Sequence, residues 1–210
     1  MNCKIIGYDF KSLAVELNPA EYFYCEKGAV IYHEGGIEKN LKVLDKGLGG
    51  ILKRKLSGES IFLMELFNQS KNTQKLMVAG KMGMLPIDLK TVGGQIICRN
   101  GYYIASTKNV DVDFSLNLSS WISGTGLVMQ KISGDCTVFL DSIGSAYRLD
   151  VAFGDSVYVD EKSFICIDGN AESRISSEFS GKGLLGGEGL TMFRITGPAT
   201  VYVNSVNARF

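Results

Sequence analysis

The chain has 210 residues, with 22 Lys and Arg against 22 Asp and Glu, so its formal net charge is zero. A protein that holds nucleic acid through phosphates usually carries a basic excess, so this balance disfavours a general nucleic-acid binder. The 45% apolar and 21% charged fractions are those of an ordinary globular protein, and no run approaches the ~20 apolar residues of a membrane-spanning helix.

The glycine and cysteine content indicates the fold class and the state of the thiols. The 25 glycines far outnumber the three prolines, which favours many tight turns between short strands and an all-β fold. Five cysteines occur at wide spacing without a C-x-x-C motif, so we expect reduced thiols buried in strands. Since Met1 to Phe10 shows no secretory pattern, we expect a cytoplasmic protein.

The only histidine, His33, is followed by Glu34. A metal site needs three or four converging ligands, and a serine or cysteine nucleophile would have to recruit this one imidazole. We therefore interpret His33 as a surface turn residue and predict no catalytic residue, no metal site, no cofactor and no enzyme activity.

The next notable segment is glycine-rich and basic, and the one or two helical turns expected in this chain fall on it, between Gly47 and Leu56. Successive backbone N–H groups in such a turn can form an anion nest, to which adjacent cations add charge. The alternative is a glycine turn that allows close packing between repeats beside three solvated cations. The predicted anion or partner contact comprises Gly47, Gly49, Gly50, Lys53, Arg54 and Lys55.

Two carboxylates, Asp111 and Asp113, stand two residues apart and so share one face of a strand. Paired carboxylates can bind a cation or act as acid and base. The alternating apolar residues around them favour a solvated strand face instead.

An internal repeat dominates the second half of the chain. Gly124–Ser142 aligns without a gap with Gly187–Ser205, with nine of nineteen positions identical. A weaker copy begins at Gly58 and places Leu63 on Met192 and Leu66 on Ile195. Such self-similarity indicates a repeated structural unit.

Weaker similarities extend the repeat upstream. Residues 21–24 resemble 155–158, and 94–97 resemble 154–157. The apolar runs 157–159 and 164–166 flank a charged turn and predict a hairpin, and Gly197-Pro198 predicts a second hairpin before residues 200–203.

These patterns predict a single compact domain over residues 1–210, with repeats at approximately 8–78, 84–143 and 145–206. Three β-units in one chain can cover one another's edges, so we expect them to close round a pseudo-threefold axis.

Two stretches resemble a known family, namely 46–60, with its glycine pairs, basic run and S-G-E-S, and 189–203. They are similar to the "altered inheritance of mitochondria, number twenty-four" family, which in fungi is linked to mitochondrial inner-membrane organisation. The resemblance implies a fold akin to the trp RNA-binding attenuation protein (TRAP), with double-stranded β-helix-like sandwich units and no enzyme activity.

Three functional hypotheses follow. The first is a non-catalytic binding or scaffold protein that acts through a protein partner or self-association. The second is an RNA-binding regulator related to the TRAP-like fold, which the zero net charge disfavours. The third is an enzyme with an unrecognised pocket.

Overall fold

The computed structural model describes residues 1–43, 62–115, 129–179 and 191–206. Within these ranges the protein is all-β, as predicted, with several antiparallel sheets and two short 3-10 helices at Leu89–Val92 and Gly169–Arg174. The helical turns predicted between Gly47 and Leu56 lie outside the described residues.

Alternating side chains explain why the strands form. In Ser12–Leu17, the side chains of Leu13, Val15 and Leu17 are fully buried, and the residues between them are partly exposed. Successive residues of a strand point to opposite faces, so this segment rests one face on a core. An N-terminal strand, β1 (Asn2–Ile6), pairs antiparallel with the edge of the segment Ser12–Leu17.

The strands after β1 form three successive sets of six, which we call copies one, two and three. Copy one contains β2 (Ser12–Leu17), β3 (Tyr22–Glu26), β4 (Val30–His33), β5 (Ile37–Val43), β6 (Phe62–Asn68) and β7 (Gln74–Ala79). Copy two contains β8 (Gly83–Asp88), β9 (Gln95–Arg99), β10 (Tyr103–Ser106), β11 (Asp111–Ser115), β12 (Met129–Ser133) and β13 (Thr137–Ser142). Copy three contains β14 (Ala146–Val151), β15 (Ser156–Asp160), β16 (Phe164–Asp168), β17 (Ile175–Phe179), β18 (Thr191–Thr196) and β19 (Ala199–Asn204).

Each copy has the same hydrogen-bonding pattern. Its first, sixth and third strands pair in that order, and its fourth, fifth and second strands pair in that order. The third strand carries an irregularity in register against the sixth at the same place in every copy, between Val30 and Tyr32, Tyr103 and Ala105, and Phe164 and Cys166. The repetition seen in the sequence therefore has a counterpart in strand pairing.

Neighbouring copies share their sheets. The second strand of copy one, β3, pairs with the third strand of copy two, β10. In the same way, β9 of copy two pairs with β16 of copy three. These two junctions produce the six-stranded sheets β5-β6-β3-β10-β13-β8 and β11-β12-β9-β16-β19-β14.

The two hairpins predicted in copy three are wrong. Residues 157–159 and 164–166 do lie in strands, but β15 pairs with β18, whereas β16 pairs with β19 and β9. Likewise, β18 and β19 on either side of Gly197-Pro198 belong to different sheets. Both turns are corners that carry the chain from one sheet to another.

Each copy has its own hydrophobic core, to which the neighbouring copy contributes. Ile104 and Ala105 of copy two pack into the core of copy one, around Phe23 and Leu66. Ile165 and Cys166 of copy three pack into the core of copy two. The junctions are therefore places where side chains are exchanged between cores.

Candidate interaction site at the two open sheet edges

The residues predicted to contact an anion or partner lie outside the part of the chain that the structure describes. They are Gly47, Gly49, Gly50, Lys53, Arg54 and Lys55. Their role stays a prediction.

His33 and Glu34 serve the local backbone. The Nδ1 group of His33 donates to the carbonyl oxygen of Glu34 at 2.9 Å. The Glu34 carboxylate accepts a hydrogen bond from the backbone N–H of Lys75 at 2.7 Å, and so fastens the end of β4 to β7. Across the described ranges, no group of three or more His, Cys, Asp or Glu side chains is placed to hold a metal ion.

The carboxylates Asp111 and Asp113 lie on β11, at the outer edge of a six-stranded sheet. Both are exposed, and Val112 between them is buried. The predicted solvated strand face is therefore confirmed.

The cysteines are free thiols, as predicted, and four of the five are buried. Burial raises the pKa of the Cys25 and Cys98 thiols to about 12. Since the thiolate is the nucleophilic form, these groups are poorly reactive at neutral pH. Cys98 and Cys166 lie opposite each other in the register of the β9–β16 junction.

A cleft of about 600 Å³ lies beside the β3–β10 junction, lined by residues that include Met1, Cys3, Tyr24 and Lys108. The α-amino group of Met1 and the Glu21 carboxylate form an ion pair at 2.6 Å within it. Burial raises the pKa of Glu21, but hydrogen bonds from the α-amino group and Asn18 more than compensate and lower it overall. These two charged groups are satisfied by each other.

The most unusual surfaces are the outer edges of β4 and β15. In copies two and three, the strands equivalent to β4 pair with the preceding copy. In copies one and two, the strands equivalent to β15 pair with the following copy. In the described sheets, β4 ends the order β1-β2-β7-β4 and β15 ends the order β15-β18-β17, so each has an unpaired side.

The side chains of β4 differ sharply in burial from their equivalents. The pairing of the third strand with the sixth shows which positions are equivalent in the three copies. Ile31 is equivalent to Ile104 and Ile165, and Tyr32 is equivalent to Ala105 and Cys166. Ile31 is 56% exposed and Tyr32 is 44% exposed, whereas all four equivalents are at most 2% exposed. An extra residue in a strand changes the direction of the side chains beside it, and on β4 the side chains of Ile31 and Tyr32 belong to none of the described core clusters.

The edge of β15 shows the same contrast. The pairing of the second strand with the fifth shows that Tyr158 is equivalent to Tyr24 of copy one and Ile97 of copy two. Tyr158 is 53% exposed, whereas Tyr24 is 8% and Ile97 is 1% exposed. Ile97 packs into the core of copy three, so the equivalent face of β15 is directed at a core that would follow copy three.

Charges surround the tyrosine that is covered at an internal junction. The Nζ atom of Lys42 lies 5.4 Å from the centroid of the Tyr24 ring and also pairs with the carboxylate of Glu65. Burial, followed by the hydrogen bond to Glu65, raises the pKa of Tyr24 to about 12. The Tyr24 ring is therefore held by charged side chains of β5 and β6 in its own copy.

An unpaired strand edge presents a row of N–H and C=O groups that another strand can extend. Exposed apolar side chains on the same edge give such a strand apolar surface to cover. The arrangement favours recognition of a β-strand, with alternate side chains as the specificity elements.

Sequence reasoning did not single out Ile31, Tyr32 or Tyr158. It aligned residues 21–24 with 155–158, and the strand register agrees with that alignment. It aligned Ile97 with Val157, and this is wrong by one residue, because Ile97 corresponds to Tyr158. A correct alignment of the second strands would have placed Tyr158 with Tyr24 and Ile97, but their burial is visible only in the structure.

Comparison with known proteins places the chain. The model of the family described as mitochondrial biogenesis AIM24 matches residues 3–206. The chain belongs to the AIM24 family. This confirms the resemblance carried by residues 46–60 and 189–203.

A solved structure of another protein has the same fold as this chain. The crystal structure of protein SPYM3_0169 from Streptococcus pyogenes is 21% identical, covers 98% of this chain and 94% of its own, and has a TM-score of 0.67. At this identity the similarity concerns the fold alone. No curated protein matches the chain in sequence. Within the described residues of this AIM24 family member, no helix is long and apolar enough to cross a membrane.

Proposed function

We propose that the protein is a non-catalytic binding or scaffold protein that acts through protein contacts at the open edges of β4 and β15. The observation that carries the proposal is the contrast in burial at equivalent positions. Ile31, Tyr32 and Tyr158 are exposed, although the same positions of the other copies are covered by strand pairing. A sheet edge with exposed apolar side chains is a known template for strand addition.

The repeat architecture supports this proposal. The chain has three six-strand copies in the TRAP-like arrangement expected from the family. Each copy has the same two binding surfaces, namely the edges of its second and third strands. Two surfaces of each kind are used inside the chain, and one of each kind is left open among the described strands. We retain a cytoplasmic location as part of the proposal; a closed pseudo-threefold arrangement would instead pair β15 with β4 of the same chain and is the alternative to open edges.

Hydrogen–deuterium exchange tests the proposal. In a dilute solution of the purified chain, we expect the outward-facing amides of β4 and β15 to exchange much faster than those of β10 and β16. Added total cell protein should slow exchange at β4 or β15, because a bound strand takes up their free N–H groups. The edge β14 serves as a control, since it is an outer strand of its sheet and its equivalent edges are not junctions.

Two results would contradict the proposal. If β4 and β15 are already as protected as β10 and β16 in dilute solution, their edges are not open. If added protein leaves exchange at both edges unchanged, they are not binding surfaces.

A further inference from the structure

We infer that the partner of each open edge is a second copy of this chain, with β15 of one molecule pairing antiparallel to β4 of the next. The inference rests on the proposed function, since it names the partner of the same two edges. It is argued from the two junctions that the chain already contains.

Both halves of one junction are present at opposite ends of the chain. A junction consists of a second strand from one copy and a bulged third strand from the following copy. Among the described strands, the second strand of copy three, β15, pairs with no strand of another copy, and the bulged third strand of copy one, β4, pairs with none either. The two edges are therefore complementary to each other, and every molecule carries one of each.

The register of the contact follows from the internal junctions. Cys25 lies opposite Ala105, and Cys98 lies opposite Cys166. The equivalent residues are Val159 on β15 and Tyr32 on β4. By the same equivalence, Tyr158 lies opposite His33.

This register would bury the exposed apolar side chains. Ile31 and Tyr32 of one molecule would enter the core of copy three of the preceding molecule, as Ile165 and Cys166 enter the core of copy two. The joined sheet would have the order β17-β18-β15-β4-β7-β2-β1, which is the order of the internal six-stranded sheets with β1 added. Because the two contacting surfaces differ, the contact is head-to-tail and leads to a ring or an open filament.

Light scattering provides the first test. The wild-type mass should rise with concentration to at least twice that of one chain, and Tyr158→Lys should abolish the rise, because a charged side chain on an edge opposes strand pairing. The matched control is Tyr147→Lys on β14, since Tyr147 is 59% exposed but its strand edge is not a junction edge in any copy. A wild-type mass that stays at one chain, or an equal effect of both variants, would overturn the inference.

Cysteine cross-linking tests the register. The native pair Cys98 and Cys166 shows that two cysteines fit at this position of a junction. In a Cys3→Ser background, a mixture of Tyr32→Cys chains and Val159→Cys chains should give a covalent heterodimer under mild oxidation. A mixture of Leu41→Cys and Val159→Cys chains should not, although Leu41 on β5 is 51% exposed.

The double variant Tyr32→Cys/Val159→Cys distinguishes strand pairing between molecules from strand pairing within one molecule. Head-to-tail pairing predicts a ladder of cross-linked chains, whereas a cross-link within one chain would show that β4 and β15 of the same molecule meet, and would overturn the inference. If cross-linking fails while added cell protein still protects β4 and β15 from exchange, the second copy is the wrong partner and the proposed function stands. If that protection is also absent, both are wrong.

Discussion

The internal junctions and the open edges are made of equivalent strands in different surroundings. At β9–β16, both strands are buried on their two faces, with Cys98 and Ile165 fully covered. At the open edges, Ile31 in the place of Ile165 and Tyr158 in the place of Ile97 are more than half exposed, whereas Val159 in the place of Cys98 is buried within its own copy. The difference does not come from apolar content, because β4 and β15 also carry apolar residues. It comes from the presence or absence of a neighbouring copy.

The comparison shows how a repeat protein distributes its stability. A six-strand copy covers one face of its second and third strands by itself and depends on neighbours for the other. Terminal copies of repeat proteins usually carry a polar outer surface that ends the array. Here Ile31, Tyr32 and Tyr158 remain on the ends, so the chain has the surface of an array that continues.

The largest effect is expected for an isoleucine that crosses a junction. Ile165→Ala should lower the free energy of unfolding by about 2–5 kcal/mol, because Ile165 is fully buried in the core of copy two. The equivalent substitution Ile31→Ala should change it by less than about 0.5 kcal/mol in dilute solution, since Ile31 is exposed. Chemical denaturation of the two variants measures the difference. Equal losses would show that Ile31 is covered within one molecule.

An intermediate effect is expected at the corner between the fifth and sixth strands. A Cβ on Gly197 would collide with the backbone carbonyl oxygen of Ala152, whereas a Cβ on the equivalent Gly134 would meet the movable side chain of Val110 at 3.2 Å. Gly197→Ala should therefore cost about 1–3 kcal/mol of stability, and Gly134→Ala much less. Thermal melting of both variants tests this, and a larger loss for Gly134→Ala would show that the two corners are not packed as the structure has them.

The corner glycines also show what the sequence could reveal. The gapless alignment of 124–142 with 187–205 brought Gly134 and Gly197 together, and alternation located the strands beside them. Which strands pair was beyond local pattern, because a turn of three residues fits a hairpin and a sheet-to-sheet corner equally well. The choice at Asp160–Lys162 is made by the distant partners β9 and β18.

The open edges could not be predicted for a related reason. Tyr24 and Tyr158 occupy equivalent positions with the same side chain, yet one is buried and the other exposed. Only the position of the copy in the chain decides which has a neighbour. The misalignment of Ile97 by one residue would also have assigned the wrong face, since a shift of one reverses every side chain of a strand.

The smallest effect is expected from the hydroxyl groups of these two tyrosines. Tyr24→Phe removes a hydrogen bond to the buried Glu65 carboxylate and should cost about 1 kcal/mol, whereas Tyr158→Phe at the open edge should cost almost nothing in dilute solution. The pH dependence sharpens the contrast. Because burial raises the folded pKa of Tyr24 to about 12, above the value of about 10 for unfolded tyrosine, its stabilising contribution is complete below pH ~10 and is lost as the pH rises toward 12.

Denaturant unfolding between pH 8 and the onset of alkaline unfolding measures this contribution. Wild type should lose stability with rising pH more steeply than Tyr24→Phe. Only wild type has the Tyr24 hydroxyl group, which is deprotonated at a higher pH in the folded protein than in the unfolded chain. Tyr158→Phe alters an exposed ring and should leave the free energy of unfolding at pH 8 unchanged in dilute solution. If instead Tyr158→Phe costs as much at pH 8 as Tyr24→Phe does, the ring at position 158 is covered in solution, and the distinction between a filled junction and an open edge fails at the residue where it is most direct.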